Sequence, residues 1–298
     1  MTDASLHPRG RRSVVLTTDC GADMDDQWAL AHLALCPGFR LEGVVTTHAP
    51  NLTPPPARTA ARRASEVLDL LSLAIRPPVI EGAGEPLADR HPPPTPGAQF
   101  ILERASDRTA VDPLIVLVIG AATDVASALL MDESLGDRIE IVAMGFDGWP
   151  AGNDQFNVRN DPLAWRILLE STAPITVGDA EVTQRQLAMT RQRAQELLGD
   201  TGPAGAWLVR LLAGWLDRHP DLVRQVTGDP DSWPVWDEVV VAHLMGLTTT
   251  RTHPRPRLRD DLAFEHPADD RTIDWITDID ASRLWPDLRQ RLRDLQPA

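Results

Sequence analysis

The sequence predicts an α/β protein with a mainly parallel central sheet flanked by helices and a mostly helical C-terminal part. Short β-rich runs alternate with helical patterns from Ser13 to Val177, which implies βαβ units. Leu114 to Ile119 is aliphatic throughout, as expected of a strand covered on both faces. Asp19, Asn51 and Gly120 follow predicted strands and Asn157 lies in the loop after Met144, on the rim where ligands of such sheets bind.

Taken in order, Ser13–Thr18 reads as a buried strand, followed by an acidic loop and an apolar helix over Gln27–Leu35. Leu41–Thr47 is the second strand. Ala57–Ala74 is a long helix opened by three prolines, which suit a first turn whose amides need no partner. After the Leu114 strand, Gly120-Ala121-Ala122-Thr123 leads into a helix through Met131. Ile139–Met144 is a strand, Pro162–Glu170 a helix and Ile175–Val177 a strand. Gly205–Asp217 and Glu238–Leu247 are the clearest later helices. A short strand over Arg271–Ile276 and a helix over Ala281–Leu295 close the chain. The Pro-rich stretches at Pro54–Pro56 and His91–Pro96 read as stiff loops. Met1–Arg12 reads as a flexible polar tail and 13–298 as a single domain.

Composition narrows the function. The chain has 298 residues, 43% of them hydrophobic and 24% charged, enough for a full core. A net charge of −14 argues against a nucleic-acid backbone as partner, but not against an uncharged nucleoside. All 29 basic residues are arginine, and there is no tyrosine, which excludes lysine Schiff-base chemistry and a tyrosine acid. Two cysteines, Cys20 and Cys36, make neither a disulfide framework nor a zinc cluster. No signal-peptide core and no apolar run of membrane-spanning length is seen, so a cytoplasmic protein without a membrane partner is expected. Walker and Rossmann fingerprints are absent.

Asp19-Cys20-Gly21-Ala22-Asp23-Met24-Asp25-Asp26 places four aspartates within eight residues directly after a buried strand. Packed carboxylates repel, and each costs desolvation unless a cation or several donors compensate it. Complementing the positive end of the next helix accounts for one or two of them, not four. Oxygen-only ligands suit a hard cation, calcium or magnesium.

Several motifs together resemble the inosine-uridine-preferring nucleoside hydrolases. Thr17-Thr18-Asp19-Cys20-Gly21-Ala22-Asp23-Met24-Asp25-Asp26 is similar to that family's Asp-Thr-Asp-x-Gly-x-Asp-x-Asp-Asp signature. Val45-Thr46-Thr47-His48-Ala49-Pro50-Asn51 resembles its Thr-Thr-x-x-Gly-Asn. Ile119-Gly120-Ala121-Ala122-Thr123-Asp124 resembles its Thr-Gly-Pro-Leu-Thr-Asn. Val142-Ala143-Met144-Gly145 and Phe156-Asn157-Val158-Arg159-Asn160-Asp161-Pro162 match its later motifs, and Trp236-Asp237 stands where His-Asp is usual.

The resemblance implies a nucleoside hydrolase-like fold and one Ca2+ per subunit, held by Asp19, Asp26, Asp237 and the carbonyl of Ile119. It implies that Asp19 is also the general base for the attacking water. Asp25 and Asn51 would bind ribose hydroxyls, Asn157 and Asn153 the 5′ side, and Met144 the underside of the ring; Asp23 is expected to cap the helix. A homodimer or homotetramer is implied as well.

The departures fall in the substrate-binding part. Thr17 replaces the first aspartate of the signature, and Gln155 replaces a glutamate, removing a charge from the 5′ pocket. Trp236 replaces a histidine used by many members on the leaving-group side. An indole can stack on a base and donate a hydrogen bond, but it cannot act as an acid. His48 and His91 lie in rim loops where they could substitute, although structural or surface roles are the simpler expectation; His32 reads as a packed core histidine. The expected function is calcium-dependent hydrolysis of a ribonucleoside or related N-riboside. The alternative is a metal-dependent ribose- or nucleoside-binding protein with little turnover. A magnesium phosphatase would leave the later motifs unexplained.

Overall fold

A computed structural model of the protein describes residues 11–153, 156–265 and 270–295. In chain order the first half comprises β1 (Arg12–Thr18), α1 (Asp25–Leu35), β2 (Phe39–Thr46), α2 (Pro56–Leu71), β3 (Val79–Glu81), α3 (Pro96–Ala105), β4 (Leu114–Val118), α4 (Thr123–Met131) and β5 (Ile139–Met144). Then come α5 (Phe156–Asn160), α6 (Pro162–Glu170), β6 (Ile175–Gly178), α7 (Ala180–Gln186), β7 (Ala188–Thr190), α8 (Arg191–Leu198), α9 (Gly202–Arg218) and α10 (Pro220–Thr227). The chain ends with β8 (Ser232–Pro234), α11 (Glu238–Leu244), β9 (Thr248–Pro254), β10 (Arg257–Leu258), β11 (Phe264–Glu265), β12 (Thr272–Ile279) and α12 (Ala281–Asp294).

Eight strands form one sheet in the order β3-β2-β1-β4-β5-β6-β12-β9. Every pairing is parallel except β12 with the edge strand β9. The predicted α/β class and mainly parallel sheet are therefore what the chain forms. Alternate residues of a strand serve opposite faces. Val14, Leu16, Ile115 and Leu117 pack into the core beneath α1, α2, α8, α9, α11 and α12. Val15, Leu114, Val116 and Val118 pack against α3, α4 and α6 on the other face. Burial on both faces is why the Leu114 run carries no polar residue.

Strand order reverses between β1, which leads outward to β2 and β3, and β4, which leads the other way. Thr17 pairs with Val118 there, and the Ile119 amide donates to the Thr17 carbonyl at 2.9 Å. The crevice at such a switch point is the natural ligand position in an open α/β sheet.

The differences from expectation are local. Arg12 is already strand and pairs with Glu140 at 2.7 Å, so the expected tail gives way to the sheet one residue early; residues 1–10 lie outside the described residues. The helix expected to reach Ala74 stops at Leu71, where Ser72 adopts a left-handed conformation (φ 46°, ψ 43°). Strand β9, Thr-Thr-Thr-Arg-Thr-His-Pro, and helix α3 were not expected from the sequence. β9 is an exposed edge whose β-branched residues carry no apolar alternation.

Candidate active site and metal centre

Beyond β1 the chain turns sharply: the Ala22 amide donates to the Asp19 carbonyl at 3.0 Å, with Gly21 at φ +97°, where a side chain would be strained. The turn delivers Asp25 and Asp26 to the start of α1. Thr18, the last residue of β1, donates its hydroxyl to Asp26. Asp237 enters from the far end of the sequence as the residue before α11. Asp23 is not a helix cap. Its carboxylate accepts from the neighbouring Met24 amide and, at 2.7 Å, from the indole Nε1 of Trp233.

Asp25, Asp26 and Asp237 bring carboxylate oxygens within 4.8 Å of one another, all three buried. Asp19 lines the same cavity, 2% exposed, and its Oδ2 is buried with no hydrogen-bond partner. Among the described residues no arginine or histidine lines this cavity. Burial, and then the Asp25 carboxylate, push the Asp19 carboxyl up to about 8. Burial likewise lifts Asp25 to about 7, against the pull of the backbone amides around it. Asp26, Asp237 and Asp23 are also driven well above the usual carboxylate range, first by burial and then chiefly by the Asp19 and Asp25 carboxylates. The Thr18 hydroxyl and the Trp233 indole donate to this cluster but bring no positive charge, and the orphaned Asp19 oxygen completes a donor set that fits a hard divalent cation.

Ile119 lines the same cavity. Its carbonyl accepts from Asn157 Nδ2 at 3.1 Å, and a carbonyl oxygen has a second lone pair for another partner. A second group of potential ligands, His32, Cys36 and Asp287, lies elsewhere. It is satisfied internally, because His32 bonds Glu238 and Asp287, and Asp287 also accepts from Arg291.

The cavity is about 250 Å³. Asn51, Met144 and Asn157 line it together with the aspartates. Asn51 donates to the Ala22 carbonyl at 2.7 Å, which ties the loop after β2 to the acidic turn. Asn157, buried, also donates to the Met144 carbonyl at 3.4 Å. Asn153, at φ +68° with its amide on the Leu262 carbonyl, does not line the cavity, and Gln155 lies outside the described residues. Trp236 does line it. Beside it stand Trp215, Trp233, Leu222, Val226 and Phe156, an apolar wall built largely by α9, α10 and β8. Trp215, Leu222 and Val226 were not singled out from the sequence. Their helices are amphipathic, and periodicity alone does not say whether an apolar face meets the core or a ligand.

Among the described residues no histidine lines this cavity. His48 holds Thr123 at 2.9 Å, which in turn donates to Asp161 at 2.7 Å, a buried brace between loops. His91 is exposed, its side chain 94% accessible. Trp149 stacks on His253 with centroids 4.2 Å apart, facing a different depression.

Residues 14–285 match the family model described as inosine-uridine preferring nucleoside hydrolase. The chain belongs to this family. As a nucleoside hydrolase it is an N-glycosyl hydrolase of ribonucleosides, from a metal-dependent family, and Asp25, Asp26 and Asp237 form a possible acidic metal site. Its sequence is 27% identical over 230 residues to a pyrimidine-specific ribonucleoside hydrolase of Shewanella oneidensis, covering 68% of this chain and 70% of that one. A Salmonella paratyphi C enzyme of the same description is also 27% identical, over 233 residues. The fold is shared with a plant nucleoside hydrolase (19% identity, TM-score 0.73, 95% of this chain and 99% of that one). It is shared too with a purine-preferring ribonucleoside hydrolase from Gardnerella vaginalis (20% identity, TM-score 0.74, 95% and 99%). Within this nucleoside hydrolase the Thr17 departure has a plain role: its hydroxyl donates to the Leu117 carbonyl at 3.1 Å and links β1 to β4. Among the described residues no helix is long and apolar enough to cross a membrane.

Proposed function

We propose that the protein is a calcium-dependent hydrolase of the N-glycosidic bond of a ribonucleoside or related N-riboside, releasing ribose and the free base. The observation that carries this is the buried carboxyl cluster at the strand switch point, uncompensated by any basic side chain among the described residues that line it, with Asp19 Oδ2 left unpartnered. Asp19, Asp26, Asp237 and the Ile119 carbonyl would hold one Ca2+ per subunit. Calcium suits an irregular, all-oxygen set better than magnesium, which demands near-octahedral geometry. When bound, the ion supplies positive charge that eases deprotonation of water and attracts the sugar hydroxyls.

Asp19 takes the proton of the attacking water as that water adds to the anomeric carbon. Asp25 and Asn51 hold ribose hydroxyls, and Met144 lies beneath the ring. Asn157, held by two carbonyls deep in the cavity, is better placed for the 5′ side than Asn153. Trp236 meets the base. The remaining carboxylates stabilise the cationic sugar of the transition state. On the family's pattern we further place the protein in the cytoplasm, in purine and pyrimidine salvage, as a homodimer or homotetramer.

The test is release of reducing sugar and free base across a panel of N-ribosides, before and after chelation, with calcium or magnesium restored. Activity is expected to vanish with chelator and to return with calcium. Should no riboside yield ribose while calcium still binds, the hydrolase reading falls. Among the described residues the apolar wall carries no titratable side chain, which favours one second reading, a metal-dependent nucleoside-binding protein with little turnover. It requires ligand-induced thermal stabilisation without product.

A further inference from the structure

Three residues on the sugar side of the cavity come from three different segments. A residue outside the regular elements keeps its place only if its segment is tied down. Asn51 lies in the loop after β2, Ile119 directly follows β4, and Asn157 sits on the short helix α5 beyond β5. Behind them runs a hydrogen-bonded chain of three buried side chains, one from each segment. His48, Thr123 and Asp161 are 5%, 2% and 1% exposed. The Thr123 hydroxyl donates to Asp161 Oδ2 at 2.7 Å, and His48 Nε2 lies 2.9 Å from the same hydroxyl oxygen. A hydroxyl has one proton to give, so the His48 nitrogen must be the donor in its bond.

None of these three described residues lines the cavity, yet their placement behind those that do is regular. Asn157 donates to the Ile119 carbonyl across 38 residues of sequence, and Thr123 donates to Asp161 across the same 38. The second bond is thus another rung between the same two segments, four positions further along each. His48 brings in the third segment, three positions ahead of Asn51. Asp161 is the fixed end of the chain. Its Oδ2 also accepts from the Leu87 amide, and its Oδ1 caps α6 through the Ala164 amide, both at 2.9 Å.

We propose that His48, Thr123 and Asp161 are positioning residues for the hydrolysis, acting on the sugar through Asn157 and Asn51. This rests on the reading of the site as an N-riboside hydrolase and adds residues that set its geometry. The link between imidazole and carboxylate needs one atom that donates to the second and accepts from the first. A hydroxyl supplies it and the isosteric valine does not. Without it a buried imidazole N–H loses its acceptor, and one of the two rungs between the Ile119 and Asn157 segments is gone. Small displacements of groups that hold a substrate are costly in rate, so the loss should be felt in catalysis and not only in stability.

The experiment measures kcat and KM for inosine and uridine on the calcium-loaded protein and its variants. Thr123→Val is expected to lower kcat/KM about ten- to a hundredfold, the usual loss when a group that orients a site residue is removed. Thr123→Ser keeps the hydroxyl and should recover most of it. In an Asn157→Ala background Thr123→Val should cost little more, because the residue through which it acts is already gone. Thr183→Val is the control. Its hydroxyl is equally buried and bonds only the Asp179 and Ala180 carbonyls, so kcat/KM should not change, whatever happens to the melting temperature. Should Thr123→Val fold poorly, the other end of the chain gives a second measurement: His48→Leu should lose activity, and His48→Gln, which retains an N–H donor, should regain it. The proposal is overturned if Thr123→Val and His48→Leu keep the parental kcat/KM. It is equally overturned if the Ser and Gln variants are as impaired as Val and Leu, or if the Thr123→Val and Asn157→Ala losses multiply. Each of these results leaves the hydrolase reading intact. If the unaltered protein cleaves no riboside, the hydrolase reading fails instead, and calorimetric affinity for inosine across the same variants decides the positioning role by the same pattern.

Discussion

A Cβ on Gly120 would sit 2.6 Å from the backbone nitrogen of Asp19 and 3.0 Å from its Oδ1, distances at which backbone must move. Gly120→Ala is therefore expected to displace Asp19, costing about 1–3 kcal/mol of stability in denaturant titration and more than tenfold in kcat. Gly38→Ala, with no atom within 4 Å of the added methyl group, should change neither. Asp19 itself separates stability from activity. Its carboxyl is buried and pushed up to about 8, so Asp19→Asn should raise the melting temperature of the metal-free protein at pH 8 while lowering kcat by at least about 100-fold. A variant that keeps its kcat would remove Asp19 from the chemistry. At this scale the acidic half of the site was readable, because four aspartates after a buried strand have no packing explanation. Asp23 was misread because its partner, Trp233, lies 210 positions away and no local pattern reports such a bond.

At the scale of elements, the two halves of the acidic cluster start two helices, α1 and α11, and one buried contact locks these together. His32 on α1 lies 2.9 Å from Glu238 at the head of α11 and 3.0 Å from Asp287 on α12, with the His32 and Glu238 side chains fully buried. Burial alone would lower the His32 pKa, but Glu238 and then Asp287 outweigh it and raise the group to about 9, so the imidazole is cationic at neutral pH. His32→Gln leaves Glu238 buried without its counter-charge, at a cost of about 3–5 kcal/mol. The pH signature follows from linkage. With the folded value above the ordinary 6.5, this stabilisation is complete below pH 6.5 and disappears as pH rises through about 9. Urea titrations of both proteins should therefore differ most near pH 6 and converge by pH 10; a constant gap would mean His32 is neutral throughout. The sequence showed His32 as a core histidine and most helices to within a few residues. It did not show which helices meet, nor strand β9, whose exposed Thr-Thr-Thr-Arg-Thr-His-Pro run carries neither the alternation nor the apolar content that marks an inner strand.

For the whole molecule, the acidic cavity makes folding, metal and protons one coupled equilibrium. In the metal-free protein Asp19 has a folded value near 8 against an ordinary 3.8, and Asp25 one near 7. Between those limits the folded state binds more protons than the unfolded chain, so stability must fall as pH rises. Below pH 3.8 these groups are protonated in both states and contribute nothing to the difference. Above about 8 the loss is complete, and the cluster then carries its full repulsion. A divalent cation is expected to reverse this, since it takes the place of the protons and binds the folded state, in which the proposed ligands after β1, in α1, at the β4 end and before α11 are assembled. Stabilisation grows as the logarithm of free metal over its dissociation constant, about 2.7 kcal/mol at a hundredfold excess. The melting temperature of chelated protein is thus expected to drop from pH 5 to pH 8, while that of calcium-saturated protein stays nearly level. Calcium binding at pH 7 should release protons, measurable as a buffer-dependent heat in calorimetry. The same cation added at pH 5 should bind more weakly, because there it competes with protons already on the carboxyls. If chelated and calcium-loaded protein melt in parallel across this range, the cluster is not the metal site, and Asp19, Asp26 and Asp237 lose the role assigned to them.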